Sequence, residues 1–368
     1  MLNFESMPLR SALTRALGPL RRLTSSASPG TLVAVDVGLT ALRAIRVRDD
    51  GGELVLDGFR MVRGVGSSSG HELEEGLREV LAIRRGTEPV AVSVNSPDAA
   101  IRRIELPPMN SRELRESLPW EARRHIAGLA DDAVLDAQVL VNGGSGPTAV
   151  VLVAFPRPLY ESLETALERF DVDPVFIDVS PLAAMNALLR HVPPERPGPL
   201  AMLELGASAG CFSIFSANEV VLFRDLGQRV SHMDQTLANQ FALDPKDLET
   251  FKLSGKLPKG ETPSPSVVAR ALGTVSMELV EDLRSALLFL ESRTNVALDR
   301  VHLSGVNAAL LDRFGIAASV SAQSGVMLER WNPLDGFRIG PVDEIALRAS
   351  ASELSAVTGL VARFFQGD

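Results

Sequence analysis

The sequence has few of the residues on which disulfide frameworks and metal centres depend. Its 368 residues include one cysteine, Cys211, which excludes an intrachain disulfide framework and a cysteine-based metal cluster. The five histidines are scattered without HxH or HxxxH spacing, which argues against a histidine metal site. The Walker A and G-x-G-x-x-G patterns are also absent. P-loop and dinucleotide-binding chemistry therefore have no support in the sequence.

Long apolar runs and an excess of basic residues are missing as well. No stretch of about 18 apolar residues occurs, so we expect no membrane-spanning helix. Lys and Arg number 37 against 46 Asp and Glu, which gives a net charge of −9. Nucleic-acid-binding proteins usually present a basic surface, so we expect no nucleic acid partner.

The first thirty residues differ from this acidic background. They contain leucines at helical spacing and one acid, Glu5. They also contain four basic residues, Arg10, Arg15, Arg21 and Arg22. A basic amphipathic helix that contacts an anionic membrane and a leader without structure are both compatible with this pattern. A continuous apolar core is missing, which argues against a secretory signal.

Two distant stretches of the chain have the same pattern. Residues 31–48 form an apolar strand that ends in Asp36-Val37-Gly38 and is followed by a second strand. Residues 199–216 repeat this order around Glu204-Leu205-Gly206. A carboxylate at the end of a buried strand and a glycine at the bend are typical of hairpins whose backbone amides hold phosphate. The repeat predicts two similar α/β lobes that face each other across a cleft, which is the outline of an actin-like fold.

The segments between and after the hairpins predict how the lobes are divided. Strand and helix periodicities give β-β-β-α-β for the first part of lobe one, over 31–97. An α+β subdomain is inserted at 98–156, and 157–196 complete lobe one and a proline-rich hinge. Lobe two covers 197–368, with a helical subdomain at about 229–295 and the terminal helix. Ser111 is the predicted N-cap of the subdomain helix, and 267–294 are predicted as one helix.

Several collinear segments carry a resemblance to a known family. They are VAVDVGLTALRAIRV in the first hairpin, IRRIELPPMNSRELRESLPWEARRHI in the inserted subdomain, and LANQFALDPKDLETFK, LVEDLRSALLFLESR, VHLSGVNAALLDRFGI and WNPLDGF in lobe two. In this order they resemble the type IV pilus assembly protein PilM family, a relative of the cell-division protein FtsA. The resemblance covers residues 31–368, and it implies an actin-like fold with an FtsA-type inserted subdomain.

The resemblance also implies a location and partners. The protein would lie in the cytoplasm at the inner face of the inner membrane. It would hold the N-terminal peptide of a PilN-like membrane protein beside the inserted subdomain, and link it to the pilus motor and platform proteins. Trp120 and Arg123 are candidate partner contacts, because Trp and Arg are enriched at binding hot spots. Packing of Trp120 into the subdomain core is the alternative.

Three other functions stay open at this point. An FtsA-like division adaptor and a component of a type II secretion-like platform share the outline of the chain. A small-molecule kinase shares the fold, but it needs intact phosphate turns and a carboxylate that activates the acceptor, and we find no such carboxylate in the sequence.

Family members can bind ATP in the cleft, and the resemblance assigns candidate residues for it. Asp36 would hold a hydrated Mg²⁺, and backbone amides of both hairpins would contact phosphate. The candidates are Asp36, Gly38, Leu39 and Thr40 in the first hairpin, Glu204, Gly206, Ala207 and Ser208 in the second, and Ser304, Gly305 and Val306 on the adenosine side.

Some positions depart from the family pattern. The glycine pair expected before the lobe-two helix falls on Arg229-Val230, and Val306 replaces the second adenosine-side glycine. Ser180 stands where relatives often carry a charged residue. Larger side chains would fill space that ribose or phosphate needs. Binding of ATP and Mg²⁺ therefore stays open, significant ATPase activity is not expected, and no catalytic residue is assigned.

Overall fold

The computed structural model describes residues 30–64, 70–141, 147–191, 198–207, 209–216 and 219–365. Positions 1–29 of the basic leader predicted over 1–30, and the candidate residue Ser208, lie outside these residues. Within the described ranges, no helix is both long and apolar enough to cross a lipid bilayer.

Strands and short helices alternate along the described chain. Up to residue 191 the elements are β1 (Thr31–Val37), β2 (Ala41–Asp50), β3 (Glu53–Arg63), α1 (Gly70–Val80), a 3₁₀ turn (Leu81–Ile83), β4 (Val90–Val94), β5 (Ala100–Leu106), α2 (Ser111–His125), β6 (Val134–Val141), β7 (Thr148–Phe155), α3 (Arg157–Glu168), β8 (Phe176–Val179) and α4 (Ser180–His191).

The second half begins with another run of three strands. Up to residue 330 it contains β9 (Leu200–Leu205), β10 (Gly210–Ser216), β11 (Glu219–Asp225), α5 (Gly227–Phe241), α6 (Pro245–Ser254), α7 (Pro265–Ala271), α8 (Gly273–Thr294), β12 (Arg300–Ser304), α9 (Val306–Arg313), α10 (Ile316–Ser324) and β13 (Met327–Arg330). The last elements are β14 (Arg338–Ile339), α11 (Glu344–Ala349), a 3₁₀ turn (Ala351–Glu353) and α12 (Ser355–Phe365).

Two of the three sheets share one strand order. The first sheet runs β14-β3-β2-β1-β4-β8, and the second runs β11-β10-β9-β12-β13. In each, the opening strand pairs antiparallel with the second strand and parallel with the strand after the helix. The predicted duplication of a β-β-β-α-β arrangement is therefore present in the sheets.

The described residues form two compact units. The first contains 30–191, 219–220 and 334–365, and the second contains 198–216 and 221–333. In the first unit, alternate residues of β1 and β2, such as Leu32 and Ile45, form a core with α12. In the second unit, the core lies between β9 and β10 and the helices α5 to α10, and Phe212 and Phe251 are among its largest buried side chains.

The terminal helix α12 packs in the first unit, whereas the sequence-based division placed it in lobe two. Val357, Leu360 and Val361 join the core over β1 and β2, and α12 lies along α4. The helices approach closely because Gly359 has no side chain: a Cβ there would lie 1.6 Å from the carbonyl oxygen of Ala183. The pattern of the chain did not reveal this packing because its contacts join residues far apart in sequence.

The inserted segment forms a separate sheet, in the order β5-β7-β6, with α2 against it. Leu114, Leu118 and Ala122 of α2 share a core with Ile104 and Leu152 of the sheet. This small core gives the predicted α+β subdomain its own apolar support.

Two helix boundaries differ from the sequence-based expectation. The N-cap of α2 is Asn110, which accepts hydrogen bonds from the amides of Arg112 and Glu113, while the side chain of Glu113 accepts one from the Asn110 amide. This is a capping box, and Ser111, the predicted cap, begins the helix. The helix predicted over 267–294 is two helices, α7 and α8, because the chain turns at Leu272.

The close contact of α12 with α4 can be tested by adding one methyl group. Gly359→Ala should lower the free energy of unfolding by about 3 kcal/mol, because the new Cβ would overlap the Ala183 carbonyl and neither helix backbone can yield without loss of packing. Gly273→Ala in α8 is the control, since a Cβ there meets nothing within 4 Å. Urea denaturation measures both, and equal stability of the two variants would contradict the packing described.

Candidate functional site

Asp36 ends β1, and its carboxylate is tied to three neighbouring segments. The residue is 5% exposed. Its Oδ1 accepts hydrogen bonds from the hydroxyls of Ser93 at 2.8 Å and Ser180 at 2.7 Å, and its Oδ2 accepts one from Arg43 Nη1 at 3.1 Å. Ser93 lies beside Asp36 because β4 runs parallel to β1, and Ser180 begins α4 immediately after β8. The carboxylate is thus held by β2, β4 and α4.

Arg43 joins this carboxylate to a second one. It faces Asp36 across the β1–β2 register, and its Nη2 donates to Glu353 Oε2 at 2.8 Å. Arg63 Nη2 donates to the other oxygen of Glu353 at 2.6 Å. Burial acts to lower the pKa of Arg43, but the charges and hydrogen bonds of Glu353 and Asp36 outweigh it and raise that pKa. Burial likewise acts to raise the pKa of Glu353, and Arg43 and Arg63 hold it below its usual value. Arg43 and Glu353 are therefore both charged at neutral pH.

The turn of the first hairpin is closed by its own backbone. The Gly38 amide donates to the Ala41 carbonyl at 3.1 Å. A Cβ on Gly38 would lie 2.8 Å from that carbonyl oxygen and 2.9 Å from Arg43 Nη1. The two other candidates of this turn, Leu39 and Thr40, are half-buried at its tip. Part of the space that a glycine leaves for phosphate is therefore taken by the Arg43 guanidinium.

The surroundings of Asp36 do not fit a magnesium ion. Mg²⁺ requires a regular octahedral shell of oxygens, usually with several waters. Three protein donors already occupy the Asp36 carboxylate, and one of them is a cation that would repel the metal. No group of three or more His, Cys, Asp or Glu among the described residues is arranged to hold a metal ion. The contacts of Asp36 therefore do not support the magnesium role that the resemblance implies.

The second hairpin repeats the geometry of the first with different side chains. Glu204 takes the position of Asp36, and it faces Cys211 across the β9–β10 register. The Gly206 amide donates to the Ala209 carbonyl at 2.9 Å, which is the same closure as in the first turn. Burial, and then the negative charges of Glu204 and Asp225, raise the pKa of Cys211 well above its usual value. The thiol is therefore protonated at neutral pH, and it packs as a small apolar side chain.

Two side chains from helices hold the carbonyls of the second turn. Asn307 Nδ2 donates to the Gly206 carbonyl at 2.7 Å, and Lys252 Nζ donates to the Ala207 carbonyl at 2.6 Å. The Lys252 side chain is 4% exposed and also donates to both carboxylate oxygens of Asp234 at 2.8 Å. Burial raises the pKa of Asp234, although Lys252 acts against this. Sequence reasoning missed these three helical residues, since nothing in the local pattern relates them to the hairpin.

The adenosine-side candidates lie where β12 meets α9. Gly305 has φ +97°, and a Cβ there would lie 2.2 Å from the Leu205 carbonyl oxygen, so glycine is required by packing against β9. Val306 is buried in the first turn of α9. Ser304 lies beside Glu204, as Ser93 lies beside Asp36. The Ser304 Oγ is buried and makes no hydrogen bond with any described residue, and the same holds for Asn307 Oδ1.

Arg229 and Val230, which were expected to crowd a nucleotide, make different contacts. Arg229 Nε donates to Asp282 at 2.8 Å, and its Nη1 lies 3.4 Å from Glu278, so its charge is directed to α8. Val230 is buried, and its Cγ2 would lie 3.0 Å from a Cβ built on Gly210. Both residues hold α5 in place within the second unit.

Trp120 on α2 is a surface residue. Its side chain is 72% exposed, and the Arg123 guanidinium lies 5.8 Å from the centre of its ring. The alternative in which Trp120 packs into the subdomain core is therefore wrong, since that core is formed by other residues of α2. An exposed Trp beside an Arg is typical of a binding hot spot.

Comparisons with known proteins agree with this architecture. The family model described as type IV pilus assembly protein PilM matches residues 34–365. A chain of the solved structure described as the PilM-PilN type IV pilus biogenesis complex superimposes with a TM-score of 0.74 at 22% identity, over 90% of this chain and 98% of that chain. No curated protein sequence matches the chain.

Weaker structural similarities to two other proteins are also found. The ethanolamine utilization protein EutJ from Carboxydothermus hydrogenoformans has a TM-score of 0.47 at 12% identity, over 92% of each chain. A Bacteroides thetaiotaomicron protein with an actin-like ATPase fold has a TM-score of 0.48 at 10% identity, over 91% of this chain and 96% of that chain. The family match and the superposition with a TM-score of 0.74 confirm the predicted actin-like fold.

The ion pair between the buried Lys252 and the partly exposed Asp234 should contribute measurably to the stability of the second unit. Lys252→Met should cost about 3 kcal/mol in the free energy of unfolding, because it leaves the Asp234 carboxylate and the Ala207 carbonyl without their buried donor. The double variant Lys252→Met/Asp234→Leu should recover part of this loss.

The control for this prediction is an exposed ion pair. Arg112 and Glu116 form such a pair on α2, and Arg112→Met should change stability by less than about 0.5 kcal/mol. Urea denaturation of the variants gives the comparison. Equal, small effects of Lys252→Met and Arg112→Met would refute the structural role of the Lys252–Asp234 pair.

Proposed function

Because the chain belongs to the type IV pilus assembly protein PilM family, we propose that it is an adaptor that binds the N-terminal peptide of a PilN-like inner-membrane protein. The observation that carries this proposal is the family match over residues 34–365. The structural similarity to a chain from a PilM-PilN complex supports it.

The inserted subdomain is the proposed docking element. It has an apolar core of its own, which keeps α2 in place without requiring Trp120. Trp120 and Arg123 are therefore available to a partner, and a large aromatic side chain loses little conformational entropy when it is covered. The peptide would lie beside this subdomain, with the ring of Trp120 as one of its contacts.

The adaptor would act in the cytoplasm at the inner face of the inner membrane, where it would link the PilN-like protein to the pilus motor and platform. The basic segment with Arg10, Arg15, Arg21 and Arg22 would add an attraction to anionic lipid of about 1 kcal/mol for each charge near the surface. A division or secretion role has no specific observation in its favour. A kinase role is opposed by the first hairpin, whose turn is filled by Arg43.

The peptide-binding proposal is tested with one variant and a matched control. A synthetic N-terminal peptide of a PilN-like protein should bind the wild-type chain in calorimetry. Trp120→Ala should weaken this binding by about thirtyfold, the equivalent of about 2 kcal/mol for loss of a hot-spot aromatic. Ile345→Ala is the control, since Ile345 is 85% exposed on α11, outside the subdomain, and should leave affinity unchanged.

Two results would count against this proposal at different levels. Absence of binding to the wild-type chain at high micromolar peptide would reject the adaptor role. Binding that Trp120→Ala and Ile345→Ala leave equally strong would keep the adaptor role and remove Trp120 from the contact.

For the nucleotide we propose weak binding and turnover near zero. The charges of the first hairpin pair with one another, and the unpartnered Ser304 Oγ and Asn307 Oδ1 are buried, so a nucleotide would reach them only if the packing around them opened. Val306 stands at the position where relatives have the second adenosine-side glycine. A nucleotide can come close to the backbone there only if the residue is small.

A thermal-shift titration with ATP, with and without Mg²⁺, measures this affinity. We expect the melting temperature of the wild-type chain to rise only at millimolar nucleotide. Val306→Gly should lower the apparent dissociation constant severalfold, because it removes a buried side chain from the position where a nucleotide would approach the backbone. Val267→Gly, at a half-exposed position of α7, controls for the general effect of a helical glycine. Tight binding or rapid phosphate release by the wild-type chain would refute the proposal.

A further inference from the structure

We infer that Arg43 is the resident cation of the first hairpin and takes the place of a divalent metal at Asp36, so that this hairpin binds no metal ion. The inference concerns the first unit alone and does not depend on the proposed partner. It goes beyond the weak nucleotide binding proposed above, because it holds whether or not a nucleotide is present.

The first step is the balance of charge. Two carboxylates, Asp36 and Glu353, and two guanidiniums, Arg43 and Arg63, lie in direct contact and sum to zero. The carboxylates are buried, so each needs a partner of opposite charge close by. Since that need is met within the chain, the cluster has no net negative charge with which to attract a divalent cation.

The second step is the occupancy of the Asp36 oxygens. A carboxylate offers about four lone-pair positions. Ser93 and Ser180 both donate to Oδ1, and Arg43 donates to Oδ2, so three of these positions are taken. A metal-bound water at Oδ2 would compete with a charge-assisted hydrogen bond that is shielded from solvent.

The third step is space. Arg43 Nη1 lies where it would be 2.9 Å from a Cβ on Gly38, so the guanidinium rests against the turn itself. The same group donates weakly to the Ala41 carbonyl at 3.3 Å, which fixes it between the carboxylate and the turn. A hydrated ion beside Asp36 would have to displace it.

The second hairpin shows that this arrangement is specific to the first. Cys211 faces Glu204 at the position that corresponds to Arg43, and the thiol carries no positive charge. The duplicated geometry by itself therefore does not require a cation opposite the acid. The cation of the first hairpin therefore comes from the arginine at position 43, and the backbone geometry that the two hairpins share does not require it.

Manganese binding, followed by electron paramagnetic resonance, tests the inference. Wild-type chain and Asp36→Asn should show the same Mn²⁺ binding, with and without ADP, because Asp36 holds no metal. Arg43→Met should bind one Mn²⁺ at least tenfold more tightly than the wild-type chain, because it exposes two carboxylates around a space the size of a guanidinium. Arg43→Lys keeps the charge and should gain no such site.

The controls separate this site from the acidic surface. Asp36→Asn in the Arg43→Met background should remove the gained Mn²⁺, and circular dichroism establishes that each variant is folded. Mn²⁺ binding by the wild-type chain that Asp36→Asn abolishes would overturn the inference, and so would a folded Arg43→Met variant that gains no metal. If Arg43→Met does not fold, the comparison of the wild-type chain with Asp36→Asn decides alone.

Discussion

Burial of the Asp36 carboxylate is the constraint around which the first unit is arranged. The Asp36 carboxylate lies at the end of the central strand β1, where burial removes most of its hydration. Such a charge is tolerated only with hydrogen-bond donors close by. Arg43 supplies the opposite charge, and Arg43 in turn requires Glu353, which precedes the terminal helix. One desolvated charge therefore links the start of the sheet to the end of the described chain, and helps to place α12 over β1 and β2.

The two hairpins have the same backbone geometry, but different side chains surround the acid in each. Both hairpins close their turn by a glycine amide and place a serine of the neighbouring parallel strand beside the acid. In the first half Ser93 bonds to Asp36, whereas in the second half the hydroxyl of Ser304 has no partner among the described residues. The basic side chain in the second half comes from a helix, where Lys252 holds the turn carbonyl and Asp234. The two halves thus share a backbone arrangement and differ in their charged side chains.

The sequence predicted the backbone of this fold better than its contacts. Strand alternation, glycine turns and helix periodicity depend on neighbouring residues, so the duplicated sheets and the inserted subdomain could be predicted. The Arg43 contact was predictable in principle, because a short hairpin fixes which residues face each other, seven positions apart in this case. Glu353 lies 310 positions from Arg43, and no local pattern relates them. The exposure of Trp120 and the packing of α12 depend on tertiary structure in the same way.

The internal pairing of charges also constrains how a ligand could act on each unit. A ligand shifts an equilibrium only by the difference in its affinity for the two states. At the first hairpin, a phosphate or metal would have to break the contacts of Arg43 with Asp36 and Glu353 before it gained any of its own. At the second, Ser304 Oγ and Asn307 Oδ1 have no partner among the described residues, but both side chains are buried, so a ligand would reach them only if the packing around them opened. In both units a ligand would therefore have to disrupt contacts of the chain before it gained any of its own.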